Sequence, residues 1–250
     1  MSQYRRIPLY LSPEHPCGYL PDLLSRNATV DPRVPMSMEL YAQLIEQGFR
    51  RSGDHVYRPY CATCQKCIPA RVDIPHFHAR RSQARCWRRN GDLEWRVQYE
   101  LTDEHYALFR RYLQARHAGE GMDGDDREGF HQFLECRWGG VQFWEFRHSQ
   151  RLIAVAVVDV LPQALSAVYT FFDPAEAHRS LGVYAVLMQI EQARQRRLPH
   201  LYLGYWVENS RKMDYKRHYH PLELYDGRRW KPATGPVAAR ETNADNARPS

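Results

Sequence analysis

Three cysteines fall within seven residues of this 250-residue chain, in the segment CATCQKC at positions 61–67. Repeated two-residue spacing between thiols requires tight turns, and it is typical of metal or redox sites in proteins that form no disulfides. We predict a zinc site or an iron–sulfur cluster here, with Cys17 joining Cys61, Cys64 and Cys67 as the fourth ligand. The alternative is a set of free, redox-sensitive thiols.

Residues 1–90 are predicted to form a smaller N-terminal region around these cysteines. Prolines recur through positions 8–35, which favours extended chain and turns. A helix is predicted over 36–47, where Leu40, Tyr41, Leu44 and Ile45 share one face and Ser37 is a suitable cap.

From residue 91 the pattern indicates one larger domain, which we place at 91–232. Three successive strands are predicted in VQFWEFRH, LIAVAVVDVL and LSAVYTFF, and another in HLYLGYWV at 200–207. A long amphipathic helix is predicted over 180–197, between the third strand and the next. This order predicts an α+β fold. Residues 233–250 lack periodicity and are predicted to be a disordered tail.

The chain has a net charge of +6 at pH 7, and arginines are crowded at two places in it. Such clusters favour a partner that carries phosphate groups, whereas a solvated basic surface is the plainer explanation. Trp87 lies in the first cluster and could stack on a base or a ribose. The candidate RNA contacts are Arg80, Arg81, Arg85, Arg88, Arg89, Arg194, Arg196 and Arg197.

The distribution of apolar residues gives no sign of a membrane protein. No run of about 18 apolar residues exists, so no membrane span is expected. The N-terminus lacks the continuous apolar core and the small-residue cleavage site of a signal peptide. We therefore expect a cytoplasmic protein.

The order of elements in 91–232 resembles the GCN5-related N-acetyltransferases, in which a central mixed sheet splits and admits an acyl donor. That family holds the pyrophosphate of coenzyme A on a glycine-rich loop before the long helix. The corresponding segment here, RSLGVY at 179–184, has only one glycine and so offers fewer free backbone donors. The resemblance implies a GCN5-related mixed sheet, and the missing glycines favour an acyl donor other than coenzyme A.

Four segments resemble the bacterial aminoacyl-tRNA–protein transferases, and more closely the aspartate/glutamate leucyltransferases of the N-end rule pathway. They are CGYLPD at 17–22, YRPYCATCQKC at 57–67, RSLGVYAVLMQI at 179–190 and LYLGYWVENSRKMDYK at 201–216. The resemblance covers residues 5–232. It implies transfer of leucine from leucyl-tRNA to the α-amino group of proteins that begin with Asp or Glu. Arginine transfer to the same acceptors, as in the eukaryotic relatives, is the alternative.

The implied reaction is the aminolysis of an ester. The attacking amine must lose a proton, and the leaving ribose hydroxyl must gain one. The donor ester is already activated, so no cofactor is required for transfer. Candidate bases are Asp159, Glu208 and Asp214, although each is equally consistent with a surface or capping carboxylate.

An acceptor with an acidic first residue requires a cation, and a bidentate arginine suits its carboxylate. Contact with tRNA phosphates or with solvent is the plainer explanation for any single cation, as is a place in the core for an aromatic residue. The acceptor-site candidates are Arg71, Arg211, Lys212 and Lys216, with Tyr205 and Trp206 at the end of a predicted strand.

Two other functions stay open at this point. One is a coenzyme A-dependent acetyltransferase. The single glycine in the segment 179–184 and the basic surface argue against it. The other is a non-catalytic, metal-bearing RNA-binding module, which leaves the acyltransferase-like half unexplained. Transfer of an amino acid from charged tRNA to a peptide would separate all three.

Overall fold

The computed structural model describes residues 7–116, 125–210 and 212–233. Its N-terminal part has six short strands, β1 (Leu9–Leu11), β2 (His15–Pro16), β3 (Leu24–Ser25), β4 (Asn27–Val30), β5 (Arg50–Ser52) and β6 (His55–Pro59). Strands β2 and β3 form a two-stranded ribbon, and the other four form an antiparallel sheet in the order β1-β4-β6-β5.

Helix α1 (Met38–Glu46) confirms the helix predicted over 36–47. The side chain of Ser37 accepts a hydrogen bond from the backbone N–H of Leu40 at 3.3 Å, so the predicted cap is present. Tyr41, Leu44 and Ile45 are buried in a small core that also contains buried residues from three strands of the larger sheet.

The larger sheet has eight strands, β7 (Cys67–Asp73), β8 (Glu94–Gln98), β9 (Val141–His148), β10 (Arg151–Leu161), β11 (Ala164–Phe172), β12 (His200–Val207), β13 (Leu222–Tyr225) and β14 (Trp230–Pro232). Their order is β14-β13-β7-β12-β11-β10-β9-β8. Each neighbouring pair is antiparallel except β11 and β12, which are parallel. This mixed sheet confirms the predicted α+β fold.

The central meander β9-β10-β11 forms where the sequence pattern predicts it. Ser149 and Gln150 have positive φ angles of 47° and 69°, as a tight two-residue hairpin turn requires. Strand β10 is buried along nearly its whole length, because helices cover both faces of the sheet there. This explains its continuous apolar run.

Helices α2 (Arg81–Arg89) and α5 (Leu181–Gln195) share one core with one face of the larger sheet. Helices α3 (Asp103–Arg116) and α4 (Arg127–Leu134) share a second core with the opposite face. Among the residues that the structure describes, none of the helices has the length and apolar character needed to span a membrane.

Strand β7 belongs to the predicted N-terminal region, yet it lies inside the larger sheet. It pairs with β12 on one side and with β13 on the other. Since Cys67 is the first residue of β7, the cysteine-bearing segment runs directly into this sheet. The division at residue 90 stays a prediction, and it does not coincide with an edge of the sheet.

Candidate active site

The larger sheet opens between its two parallel strands. β11 and β12 pair at only three positions, 164–166 on β11 with 200–202 on β12. Beyond these positions β11 continues to Phe172 and β12 to Val207 without pairing to each other. The unpaired lengths form the two lips of a cleft. The resemblance to the GCN5-related N-acetyltransferases implied a split of this kind.

The side chain of Arg50 enters this cleft from the small sheet. Its Nη2 atom donates to the carbonyl oxygens of Ala167 at 3.1 Å and Val168 at 3.4 Å, on the β11 lip. On the β12 lip, Gly204 has a φ of 77°, and a Cβ at this position would overlap the guanidinium of Arg50. Glycine is therefore required at position 204 for two reasons: the backbone conformation, and the space that Arg50 occupies.

Lys216 reaches the β12 lip from a 3₁₀ helix, Asp214–His218. Its Nζ atom donates to the carbonyl oxygen of Tyr205 at 2.5 Å and lies 3.1 Å from Sδ of Met213. Pro69 lies opposite Tyr205 on β7 and has no N–H to give to that carbonyl. The amine of Lys216 therefore gives the carbonyl of Tyr205 a hydrogen bond that Pro69 cannot provide.

Arg50 and Lys216 bring two cationic groups to one cleft. Lys216 is only 3% exposed, and burial, followed by the charge of Arg50, lowers the pKa of its amine well below the ordinary value. Within the described part of the chain, neither side chain forms an ion pair with a carboxylate. Arg50 thus brings a positive charge that this part of the chain does not neutralise, and the lowered pKa of Lys216 shows that a second charge is disfavoured there without a counter-charge.

Tyr205 and Trp206 are neighbours on β12, so their side chains project to opposite faces of the sheet. The hydroxyl of Tyr205 is buried and donates to the carbonyl oxygen of Gly48 at 2.9 Å. Trp206 packs at the edge of the core beneath α5. Of these two candidates, Tyr205 lies near Arg50, which counteracts the rise that burial causes in the pKa of the phenol.

The four predicted metal ligands lie near one another beside the cleft. Burial raises the pKa of the Cys67 thiol to about 12; nearby Cys17, Cys61 and Cys64 add to this rise, and Lys216 opposes it. Within 7–116, 125–210 and 212–233, no group of three or more cysteine, histidine or acidic side chains is arranged to hold a metal ion. The thiols as placed do not fit a closed ligand set, and the zinc or iron–sulfur site stays a prediction.

Arg71 already has carboxylate partners. Its Nε donates to Glu223 at 2.7 Å, its Nη1 donates to Glu46 at 3.1 Å, and it lies over the ring of Trp230 at 4.4 Å. Two carboxylates neutralise the guanidinium, and the side chain is largely buried. These contacts give no support to the predicted role of Arg71 in acceptor binding.

The three candidate bases lie apart. Asp159 is 1% exposed, and Arg51 donates to its Oδ1 from Nε at 2.8 Å and from Nη2 at 2.6 Å. Glu208 is exposed just beyond the end of β12, and Asp214 forms an ion pair with Arg217 at 3.4 Å. Asp159 therefore joins β5 to β10 inside the protein, while the other two carboxylates remain accessible.

Helices α2 and α5 bring the two arginine clusters onto one surface. A groove of about 320 Å³ runs between them, with Phe77, Leu187 and Ile190 in its lining and Arg88 and Arg194 also bordering it. The exposed arginines of this surface, which we call the arginine face, are Arg81, Arg85, Arg88, Arg89, Arg194, Arg196 and Arg197. Arg80 lies at the start of α2, where its Nη1 is 3.2 Å from Nδ1 of His218.

Sequence reasoning missed Arg50 and Gly204. A glycine inside a predicted strand often marks a bulge or a close approach, so the sequence did carry a signal for Gly204. Nothing near Arg50 in the sequence distinguishes it from the other arginines. Of the remaining acceptor-site candidates, Lys212 is exposed, and Arg211 lies outside the described residues.

Comparison with solved structures gives partial matches at low identity and with TM-scores below 0.5. L-PGS from Bacillus licheniformis is 14% identical, with a TM-score of 0.44 over 66% of this chain and 62% of that chain. A GCN5-related glucosamine N-acetyltransferase region of a fungal multi-domain GH3 β-N-acetylglucosaminidase is 13% identical, with a TM-score of 0.40 over 74% of this chain and 21% of that chain.

Sequence comparison gives much closer relatives. Residues 15–85 match the family described as arginine-tRNA-protein transferase, N terminus, and residues 104–226 match its C terminus. The aspartate/glutamate leucyltransferase of Stenotrophomonas maltophilia (strain K279a) is 49% identical over 89% of this chain and 91% of the relative. That of Saccharophagus degradans is 47% identical over 92% of this chain and 98% of the relative. The chain therefore belongs to the arginine-tRNA-protein transferase family and, within it, to the aspartate/glutamate leucyltransferases.

Proposed function

We propose that this protein transfers leucine from leucyl-tRNA to the N-terminal α-amino group of proteins that begin with Asp or Glu. The observation that carries the proposal is the 47–49% identity, over about nine-tenths of the chain, to relatives named for this activity. The new N-terminal leucine would mark the acceptor protein for degradation.

In this reaction the acceptor amine attacks the ester carbonyl of leucyl-tRNA. A peptide bond forms, the ester bond breaks, and a proton passes from the amine to the released ribose hydroxyl. The ester is already activated, so positioning supplies much of the rate. We place the leucyl ester in the cleft between β11 and β12. Glu208 and Asp214 are the accessible candidates for the proton acceptor.

The test is transfer of labelled leucine, arginine or phenylalanine from charged tRNA to peptides that begin with Asp, Glu, Lys or Ala. We expect label from leucine only, and on the Asp and Glu peptides only. Transfer of arginine instead would show that the protein is a transferase of the same family that uses arginyl-tRNA as its donor. A folded, reduced protein that transfers none of the three would overturn the proposal and favour an RNA-binding module.

We propose that the arginine face binds the tRNA. Seven exposed arginines come from α2, from the end of α5 and from the two residues after it, and Arg88 and Arg194 border one groove. Surfaces rich in such cations bind phosphate backbones by displacing counterions. Phosphate contacts of this kind position an RNA without reading its sequence.

Removing two of these arginines should therefore weaken tRNA binding in a salt-dependent way. For the double variant Arg85→Ala/Arg88→Ala, we expect the plot of log affinity against log salt concentration to become shallower by about 2, one unit for each lost phosphate contact. The matched control is Arg228→Ala/Arg229→Ala, which removes two exposed arginines from the hairpin between β13 and β14. Equal slopes for the two variants would exclude the arginine face as the tRNA site.

A further inference from the structure

We propose that Arg50 and Lys216 together bind the side-chain carboxylate of the acceptor's N-terminal Asp or Glu. The inference rests on the proposed function and names the residues that set its acceptor specificity. Neither the sequence pattern nor the names of the relatives assign Arg50 to any role.

Among the residues that the structure describes, none supplies a carboxylate to Arg50 or Lys216. The hydrogen bonds of Arg50 go to the carbonyl oxygens of Ala167 and Val168, and those of Lys216 go to the carbonyl oxygen of Tyr205 and to a thioether. Carbonyl oxygens satisfy the donors but do not neutralise the charges. Burying an ion without an opposite charge is unfavourable, and a ligand that brings the opposite charge recovers part of that cost.

The guanidinium of Arg50 and the amine of Lys216 are held in fixed positions. Arg50 is held on the β11 lip, Lys216 on the β12 lip, and the bare Gly204 leaves room for the guanidinium between them. A guanidinium held in place presents two parallel N–H groups to a carboxylate at little cost in side-chain entropy. The guanidinium and the amine are therefore already positioned before the acceptor binds.

Two buried arginines of the structure differ from Arg50, which is only partly buried, because they have carboxylate partners. Arg71 is neutralised by Glu46 and Glu223, and Arg51 by Asp159. Arg50, by contrast, has no carboxylate partner in the described part of the chain, and it lies in the cleft where the sheet opens. Its unneutralised charge favours a carboxylate ligand over a neutral amide of the same shape.

The experiment compares peptides that begin with Asp or Asn, which have nearly the same shape and differ in charge. Their kcat/KM values are measured with leucyl-tRNA for the wild type and for Lys216→Met and Arg50→Met. We expect the preference of the wild type for Asp over Asn to fall about 30-fold or more in each variant, because a buried charge contact is lost. Arg50→Lys, which keeps one cation, should retain part of that preference.

Arg147→Met is the matched control, because it removes a largely buried arginine that already has two carboxylate partners and belongs to none of the candidate sites. Its Asp/Asn ratio should stay at the wild-type value. Circular dichroism and thermal melting establish that each variant is folded, and Lys216→Gln replaces any Lys216→Met protein that is not.

Folded Arg50 and Lys216 variants that keep the wild-type Asp/Asn ratio would overturn the inference. So would an equal loss of transfer to both peptides, because that result indicates a role in positioning the donor or in proton transfer. Failure of the proposed function has a different signature, since the wild type would then transfer leucine to neither peptide. Competition by unlabelled Asp and Asn peptides against a labelled Asp peptide gives the same ratio as a binding measurement, without turnover.

Discussion

Gly204→Ala is expected to reduce leucine transfer to an Asp-starting peptide by about 100-fold or more, because the new methyl group displaces the guanidinium of Arg50. The loss combines two physical effects. The backbone at 204 has a φ of 77°, which costs an alanine about 1–2 kcal/mol. The Cβ also overlaps Arg50, whose bonds to the carbonyl oxygens of Ala167 and Val168 must then break. Steady-state kinetics and equilibrium unfolding in urea measure the two effects separately.

A double-mutant cycle isolates the contact between Gly204 and Arg50. In an Arg50→Ala background the overlap is gone. Gly204→Ala should then lower the stability of the protein only through the unfavourable backbone conformation at 204, with little further effect on transfer. A full additional loss of activity in that background would show that the glycine serves the cleft in some other way. Binding of leucyl-tRNA to the arginine face should be unchanged in all three variants.

The sheet of this protein was predictable because its strands carry strong local patterns. The meander consists of three strongly apolar segments, its turn sits at Ser149 and Gln150, and β12 occupies the 200–207 segment that the sequence predicted. The position of β7 was not predictable in the same way. Pairing of β7 with β12 joins segments far apart in sequence, and no local pattern encodes such a pairing.

The roles of individual charged residues were harder to predict, for the same reason. Arg71 and Arg50 are both arginines in strands. Only the folded chain shows that Glu46 and Glu223 neutralise Arg71, whereas no carboxylate among the described residues pairs with Arg50. The sequence likewise made Asp159 a candidate base, but it did not show that Arg51 forms an ion pair with it. Long-range partners decide what a charged side chain can do, and a single sequence does not record them.

Arg51→Met is expected to lower the free energy of unfolding by about 3–5 kcal/mol, because it leaves the carboxylate of Asp159 buried and unpaired. The same guanidinium also donates to the backbone carbonyls of Gly53 and Leu134 at 3.3 Å, so it ties β5 to the end of α4 as well as to β10. For a chain of this length the midpoint of thermal unfolding should fall by roughly 6–20 °C. Differential scanning calorimetry and urea unfolding measure the change.

The double variant Arg51→Met/Asp159→Leu separates a structural role of Asp159 from a catalytic one. Replacing both members of a buried ion pair by apolar residues is often neutral, so this protein should recover most of the lost stability. It should also keep leucine transfer within about threefold of the wild type, because Asp159 is 1% exposed and its contacts lie inside the protein. A double variant that folds with wild-type stability but has lost transfer would restore Asp159 as the proton acceptor. Retained transfer would leave Glu208 and Asp214 as the carboxylates to test next, each by replacement with the matching amide.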